Sequence, residues 1–358
     1  MSKLREAHFV ALACLALCAC GDDNSSGSDP SGDDASIGDS ATVGADGSSD
    51  AVTVDAPPPE FSFTAVTFNT GTTDGLGHDD PPDDGYTSTD AETSDQYYGN
   101  GLAWNPAIDA TRTFFAELRP EVVVFQEIFG GDCGVVPPEG RSGFVCENAE
   151  AMDVSVAERV LGADYQIACH LGKPDKCAAV RRDFGSFRGC GEAHCLEGLA
   201  GAPIDGCGSG SRIGRGVIDL TDGGSITVVN IHGTSGFEAD EQACRVAQFE
   251  QVFVDLDGSP AANGNANLVL GDLNTDPARL RDGDPSALRF TDFVGEGKAF
   301  QFISDGSPIA DPTYAGLLNI DHVVSDAFRG SCRTGEVTDA VYFDHVPIVC
   351  AVGGDRPR

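Results

Sequence analysis

The sequence predicts an α/β fold for residues 61 to 358, on three observations. Short apolar runs that end in polar side chains recur along the chain: FTAVTFNTG with Asn69, EVVVFQEIF with Glu127, ITVVNIHG with His232, LVLGDLNTDP with Asp272 and Asn274, and AVYFDHVPIV with Asp344 and His345. Stretches with helical spacing lie between them. The segment also has the length of one α/β domain, with neither an internal repeat nor a second linker.

Taken in order, the first strand ends at Asn69. After an acidic insertion, Asn105 and Pro106 have the character of an N-cap and a first helical residue, and Ile108, Phe115 and Leu118 fall on one helix face until Pro120 stops it. EVVVFQEI then alternates, with Val122, Val124 and Gln126 facing one way and Val123, Phe125 and Glu127 the other. Residues 148 to 161 have the pattern of a short amphipathic helix. GRGVIDLTDGGSITVVNIHG is a hairpin turning at Asp222, Gly223 and Gly224, and a helix is expected from about Ala239 to Leu256. In LVLGDLNTDP the side chains of Asp272 and Asn274 point one way, because neighbours along a strand alternate. The last strands carry Asp321 and then Asp344 with His345.

Ahead of the domain, Lys3 and Arg5 precede an apolar run from Phe9 to Leu17, too short to span a bilayer permanently. The small-residue site ending in Cys20 gives residues 1 to 19 the form of a bacterial lipoprotein signal, with Cys20 as the lipidated residue. Residues 20 to 60 are Gly, Ser, Asp and Ala followed by prolines, a composition with nothing to bury. Such a tether has a root-mean-square span of roughly 35 Å. The expected location is therefore an exported lipoprotein, anchored through its N-terminal lipid and facing the periplasm or the cell exterior, with residues 61 to 358 as a monomeric domain.

Cysteine usage agrees with export. Of 13 cysteines, Cys14, Cys18 and Cys20 precede the domain, which leaves Cys133, Cys146, Cys169, Cys177, Cys190, Cys195, Cys207, Cys244, Cys332 and Cys350. An even set in an exported domain reads as up to five disulfides of undetermined connectivity. Cys190, His194 and Cys195 match no common zinc spacing. The formal charge of −35, from 22 basic and 57 acidic residues, excludes a basic face that tracks a nucleic-acid backbone tightly. Bound cations would supply positive charge where a phosphate sits. The insertion from Asp74 to Asp95 holds much of the excess; it reads as solvated loop, and although structural Ca2+ would suit its carboxylates, no EF-hand spacing is present.

The ordered series Asn69, Gln126 with Glu127, His232, Asp272 with Asn274, Ile320 with Asp321, and Asp344 with His345 resembles the endonuclease/exonuclease/phosphatase superfamily, over roughly residues 61 to 352. The GDLN and DHVP elements are its most specific parts. The resemblance implies two packed, mainly antiparallel β-sheets flanked by helices, a four-layer αββα sandwich with the site at one end. It implies hydrolysis of a phosphodiester supported by Mg2+ or Mn2+, ions that suit hard carboxylate and amide oxygens. In that reading Glu127 is the first metal ligand, with Asn69 and Asp344 completing or ordering its shell. His345, oriented by Asp321, is the general base. Asp272 and Asn274 bind the phosphate or a second cation, and His232 bonds a phosphoryl oxygen or protonates the leaving group. Arg215 is a candidate phosphate contact.

Two departures from the family pattern stand out. His322 follows Asp321 as a third imidazole, either bystander or ligand, and no acidic partner for His232 is evident beyond Glu192 and Asp183 in the Cys-rich insertion. The function expected is an extracellular nuclease-like phosphodiesterase. The same chemistry on sphingomyelin, another phospholipid or a small phosphoester is an alternative, to which Tyr97, Tyr98 and Trp104 lend an interfacial aromatic patch. A non-catalytic Cys-rich surface lipoprotein is the third reading.

Overall fold

A computed structural model describes residues 61–73, 78–79, 84–149, 152–303, 311–337 and 342–358. The signal, Cys20 and tether expectations lie outside the described residues, as does part of the acidic insertion.

In chain order the strands are β1 (Phe61–Asn69), β2 (Val122–Gln126), β3 (Gly130–Asp132), β4 (Asp153–Ser155), β5 (Tyr165–His170), β6 (Lys173–Arg181), β7 (Gly185–Phe187), β8 (His194–Leu199), β9 (Ile213–Leu220), β10 (Ser225–His232), β11 (Asn267–Asp272), β12 (Gln301–Phe302), β13 (Asp321–Ser325), β14 (Arg329–Thr334) and β15 (Ile348–Gly354). The α-helices are α1 (Ser88–Thr93), α2 (Asn105–Leu118), α3 (Val156–Leu161), α4 (Ala239–Phe253) and α5 (Pro285–Phe293). A seven-stranded sheet runs β14-β15-β1-β2-β6-β5-β8 and a six-stranded one β12-β13-β11-β10-β9-β7; β3 and β4 form a separate ribbon. Most pairs are antiparallel. The exceptions are β1 with β2, β10 with β11, and β5 with β8. The first two are joined by crossovers carrying α2 and α4, as a parallel pair requires.

The period of two along each strand sorts side chains into three apolar layers. Phe63, Ala65, Val122 and Val124 of one sheet meet Ile218, Val228, Leu268, Leu270 and Val323 of the other in the central layer. Val123 and Phe125 face α2 and α3, while Val229, Val269 and Val324 face α4 and α5. This is the αββα sandwich. Each fully buried aliphatic or aromatic side chain contributes about 1.5 to 3 kcal/mol relative to exposure, so the alternation fixes the face each strand presents.

Local expectations shift in four places. The helix at 105 begins one residue earlier than a cap at Asn105 would allow, with Trp104 as N-cap, and the Asn105 amide donates instead to Phe144 O at 3.0 Å. The helix expected from 148 is only Val156–Leu161, because β4 precedes it and the Ser155 hydroxyl caps it from Glu158 N. The helix from Ala239 ends at Phe253, leaving Val254 exposed. Part of the acidic insertion is ordered: α1 is closed by a reciprocal capping box between Thr87 and Asp90. The aromatic patch does not form. Tyr98 stacks on Phe144, Trp104 packs against Tyr86 and Tyr342, and both are core residues.

All ten domain cysteines are paired, as 133–146, 169–177, 190–195, 207–244 and 332–350. The 190–195 bridge removes the Cys190/His194/Cys195 metal option.

Candidate active site

Topology brings the polar strand ends together. β1, β2, β10 and β11 all finish at one end of the sandwich, where Asn69 lies beside Gln126 and His232 beside Asp272. β13 runs antiparallel to β11 and therefore begins there, with Asp321 opposite Asp272. β15 runs antiparallel to β1, so Asp344 and His345, just before it, arrive at the same end. Asn69, Gln126, His232, Asp272 and Asp321 also share the parity of the central layer, which aims them between the sheets.

Asp272 is the hub. Its Oδ2 accepts from Asn69 Nδ2 at 2.9 Å and Asn274 Nδ2 at 3.0 Å, and its Oδ1 accepts from Asn274 N at 2.8 Å. The same Oδ2 lies 3.6 Å from His232 Nε2 and 3.8 Å from His345 Nε2. His345 Nδ1 meets Asp321 Oδ2 at 2.8 Å, and His345 Nε2 is 4.0 Å from Asp344 Oδ1. Glu127 Oε1 is 3.4 Å from His232 Nε2. Below this layer Gln126 Nε2 donates to Asn230 Oδ1 at 2.7 Å, a buried bond that ties one sheet to the other.

Two of the site residues hold backbone conformations that side chains rarely adopt: Glu127 at φ +56° and Asn274 at φ +51°. Such left-handed positions cost of order 1 to 3 kcal/mol and cluster at functional sites. The turn at Glu127 lifts its carboxylate out of the strand alternation and toward Gly71. A Cβ at position 71 would lie 2.5 Å from Glu127 Oε2 and 3.2 Å from Asn69 Oδ1, so only glycine leaves the carboxylate its place. Gly71 N donates to Asn69 Oδ1 at 3.0 Å.

The electrostatics follow from four carboxylates in one enclosure. Burial, reinforced by Asp344, pushes Glu127 up to about 7. Burial also raises Asp344 and Asp272, against the pull of His345. For His345 burial acts downward, but Asp321, Asp344 and Asp272 override it and hold the imidazole well above its usual range. His232 goes the other way. Burial, with Lys176 and Arg212 beside it, keeps it neutral.

A divalent cation fits this donor set. Asp344 Oδ1 is a buried oxygen with no hydrogen-bond partner, Glu127 and Asn69 converge over Gly71, and 31% of the Glu127 and 29% of the Asp344 side chain still face solvent. These are hard oxygen donors with an open side, the preference of Mg2+ or Mn2+.

Three sequence readings are corrected. Arg215 points to the helix side of its sheet, the face of Ile213 and Val229, and pairs with Asp257 at 3.3 Å, so it is not in the site. Arg212, an odd number of residues away, has the opposite parity. Its carbonyl accepts from His232 N at 3.0 Å and its Nε is buried without a partner, which makes it the phosphate-contacting candidate that the sequence reading passed over. His322 likewise faces α5, bonded to Thr275 O at 2.9 Å and stacked on Phe290; it is neither ligand nor bystander in the site. Asp183 pairs with Arg181, and Glu192 is exposed, so neither orients His232. Lys176 stands near that imidazole instead, almost fully buried and paired with Asp175 at 2.5 Å. It was legible only as the central-layer parity of β6, a strand the sequence reading did not draw.

The fold is that of solved endonuclease/exonuclease/phosphatase proteins, as the resemblance implied. A solved protein of that description from Beutenbergia cavernae superposes with a TM-score of 0.50 at 16% identity, covering 82% of this chain and 72% of its own. A conserved protein of unknown function from Enterococcus faecalis matches with the same TM-score at 12% identity, covering 82% of this chain and 100% of its own. An endonuclease/exonuclease/phosphatase family protein from Bacteroides thetaiotaomicron gives 0.48 at 13% identity, covering 82% and 95%. No protein-family model and no curated protein matches the sequence.

Proposed function

We propose that the chain is an exported, divalent-metal-dependent phosphodiesterase acting on nucleic acid. The observation that carries this reading is the Asp321–His345 pair at 2.8 Å with its free Nε2 turned toward Asp272 and Asp344, beside the Glu127–Asn69 cradle. Glu127, Asn69 and Asp344 would hold Mg2+ or Mn2+. Bound there, such a cation would neutralise charge on a phosphoryl oxygen and lower the cost of ionising water.

The remaining steps belong to the protein. His345 Nε2, when neutral, accepts a proton from the attacking water, and Asp321 holds the Nδ1 proton and stabilises the imidazolium that results. His232, whose burial disfavours the charged imidazole, would donate a hydrogen bond from Nε2 to a phosphoryl oxygen. Arg212 offers further N–H groups to the phosphate, and charge-assisted bonds of this kind are roughly twice as strong as neutral ones; the N–H groups of Asn274 are already taken by Gly233 O and Asp272. Tyr98 and Trp104 being core residues removes the interfacial support for a lipid substrate. The completeness of the pair and cradle argues against a fold kept for binding alone.

The test is hydrolysis by the full chain of DNA, RNA, sphingomyelin and an aryl phosphodiester. Activity on nucleic acid should vanish in EDTA and return with Mg2+ or Mn2+. Glu127→Gln should lose turnover while keeping its melting temperature. Unchanged hydrolysis in chelator would refute the metal role; sphingomyelin as the preferred substrate would refute the nucleic-acid reading.

A further inference from the structure

Among the described residues the largest fully buried side chain is an arginine outside the catalytic set proposed above. Arg245 lies in α4 with no solvent exposure, and its guanidinium spans two loops. Nη1 donates to Thr234 O at 2.8 Å and Gly236 O at 2.6 Å, in the loop that follows His232. Nε donates to Ser286 Oγ at 2.9 Å and Nη2 to Asp284 Oδ2 at 3.2 Å; Asp284 Oδ2 in turn accepts from Thr275 Oγ1, beside Asn274, at 3.2 Å. One turn along α4, Gln248 clamps Thr234 through both its backbone N–H and its hydroxyl.

These two loops touch at the site. Asn274 Nδ2 donates to Gly233 O at 3.1 Å as well as to Asp272 Oδ2, and a Cβ on Gly233 would lie 2.4 Å from Leu273 O. A continuous run of bonds therefore leads from Arg245 through Thr234, Gly233 and Asn274 to Asp272, and from Asp272 to Asn69. Packing alone does not call for an arginine here, because replacing a buried ion pair by well-packed apolar side chains is often neutral or stabilising. A planar fork with five donors does suit the fixing of two separate loops at a set spacing.

We propose that Arg245 is a positioning residue that sets the separation of the His232 and Asn274 loops and so orients Asp272 and Asn69. The proposal rests on the phosphodiesterase reading for its kinetic consequence but not for its structural one. Arg245→Lys in the full chain keeps the charge and loses the fork. The expected result is a kcat per folded molecule lower by about 10- to 100-fold with KM changed by less than about threefold, the usual effect of disturbing groups that support a site. The Asn274 side-chain amide resonances should shift in the same variant. Phe253→Leu, at a half-buried side chain at the end of α4 that stacks on Phe293, should move neither. If Arg245→Lys fails to fold, Asp284→Asn, which keeps the oxygen that caps α5, carries the same measurements. Lower stability with wild-type kcat and unmoved Asn274 resonances would overturn the proposal. If the wild-type chain hydrolyses no phosphodiester, the functional reading fails, while the amide resonances still decide whether Arg245 sets the loop.

Discussion

Gly71→Ala tests the cradle with one methyl group. The new Cβ would sit 2.5 Å from Glu127 Oε2, whereas ordinary contact begins near 3.4 Å. The carboxylate must therefore retreat by about 0.9 Å, and a displacement of that size at a reacting centre costs on the order of 10²-fold in rate, or about 2.7 kcal/mol. The backbone does not oppose the change, since Gly71 lies outside the left-handed region. Alanine restricts the unfolded chain and by itself stabilises by about 0.4 to 1 kcal/mol, so the melting temperature should barely move. Steady-state hydrolysis and calorimetric titration with Mn2+ should both show the loss. Glu127→Asp, one methylene shorter, should also be impaired, but adding Gly71→Ala to it should cost little more, because the shorter carboxylate no longer meets the methyl. Wild-type turnover and metal affinity in Gly71→Ala would refute the placement of the ligand over position 71.

Three further outcomes are expected. His345→Ala should lower kcat by about 10² to 10⁴ with the fold retained. Because the neutral imidazole is the working form and its neighbours raise its pKa, the wild-type rate should climb with pH above the usual imidazole range, and Asp321→Asn should move that limb to lower pH; a pH profile indifferent to Asp321→Asn would exclude the pair. Arg212→Met should lower kcat/KM by roughly 10-fold or more, in line with about 1.5 to 3 kcal/mol for a charged hydrogen bond, while Arg215→Met should leave it within about twofold, given the small worth of exposed ion pairs; the reverse ranking would restore Arg215 to the site. Mass spectrometry without reductant should find the ten domain cysteines oxidised, and loss of each bridge should cost roughly 2 to 5 kcal/mol; free thiols would contradict the pairing and count against the proposed export.

The strand ends were legible because each combined two independent signals. An apolar run predicts a strand, and a carboxylate, amide or imidazole at its close is hard to explain by packing, as at Asn69, Glu127 and His232. Their convergence was legible only through resemblance, since nothing in a single run states which end of the sandwich it occupies. Arg215 and Arg212 show the limit. Arg212 precedes β9 and Arg215 lies within it, and which one faces inward depends on a register set by the hairpin partner, so motif alone selects the wrong parity. Tyr98 and Trp104 failed for a related reason: burial there comes from Phe144 and Tyr342, distant in sequence. Lys176 and Arg245 gave no local sign, because a buried cation is identified by what surrounds it.

The bond from Asn69 to Asp272 joins the first strand of one sheet to the middle of the other, across a sequence separation of 203 residues. The centre is thus a seam between two layers, not the property of either. No proteolytic piece that stops short of His345 or starts after Asn69 contains a full set of its groups. A contact across so long a loop forms late relative to local structure, so the hydrolysis proposed for this centre would be a readout of completed docking of the two sheets.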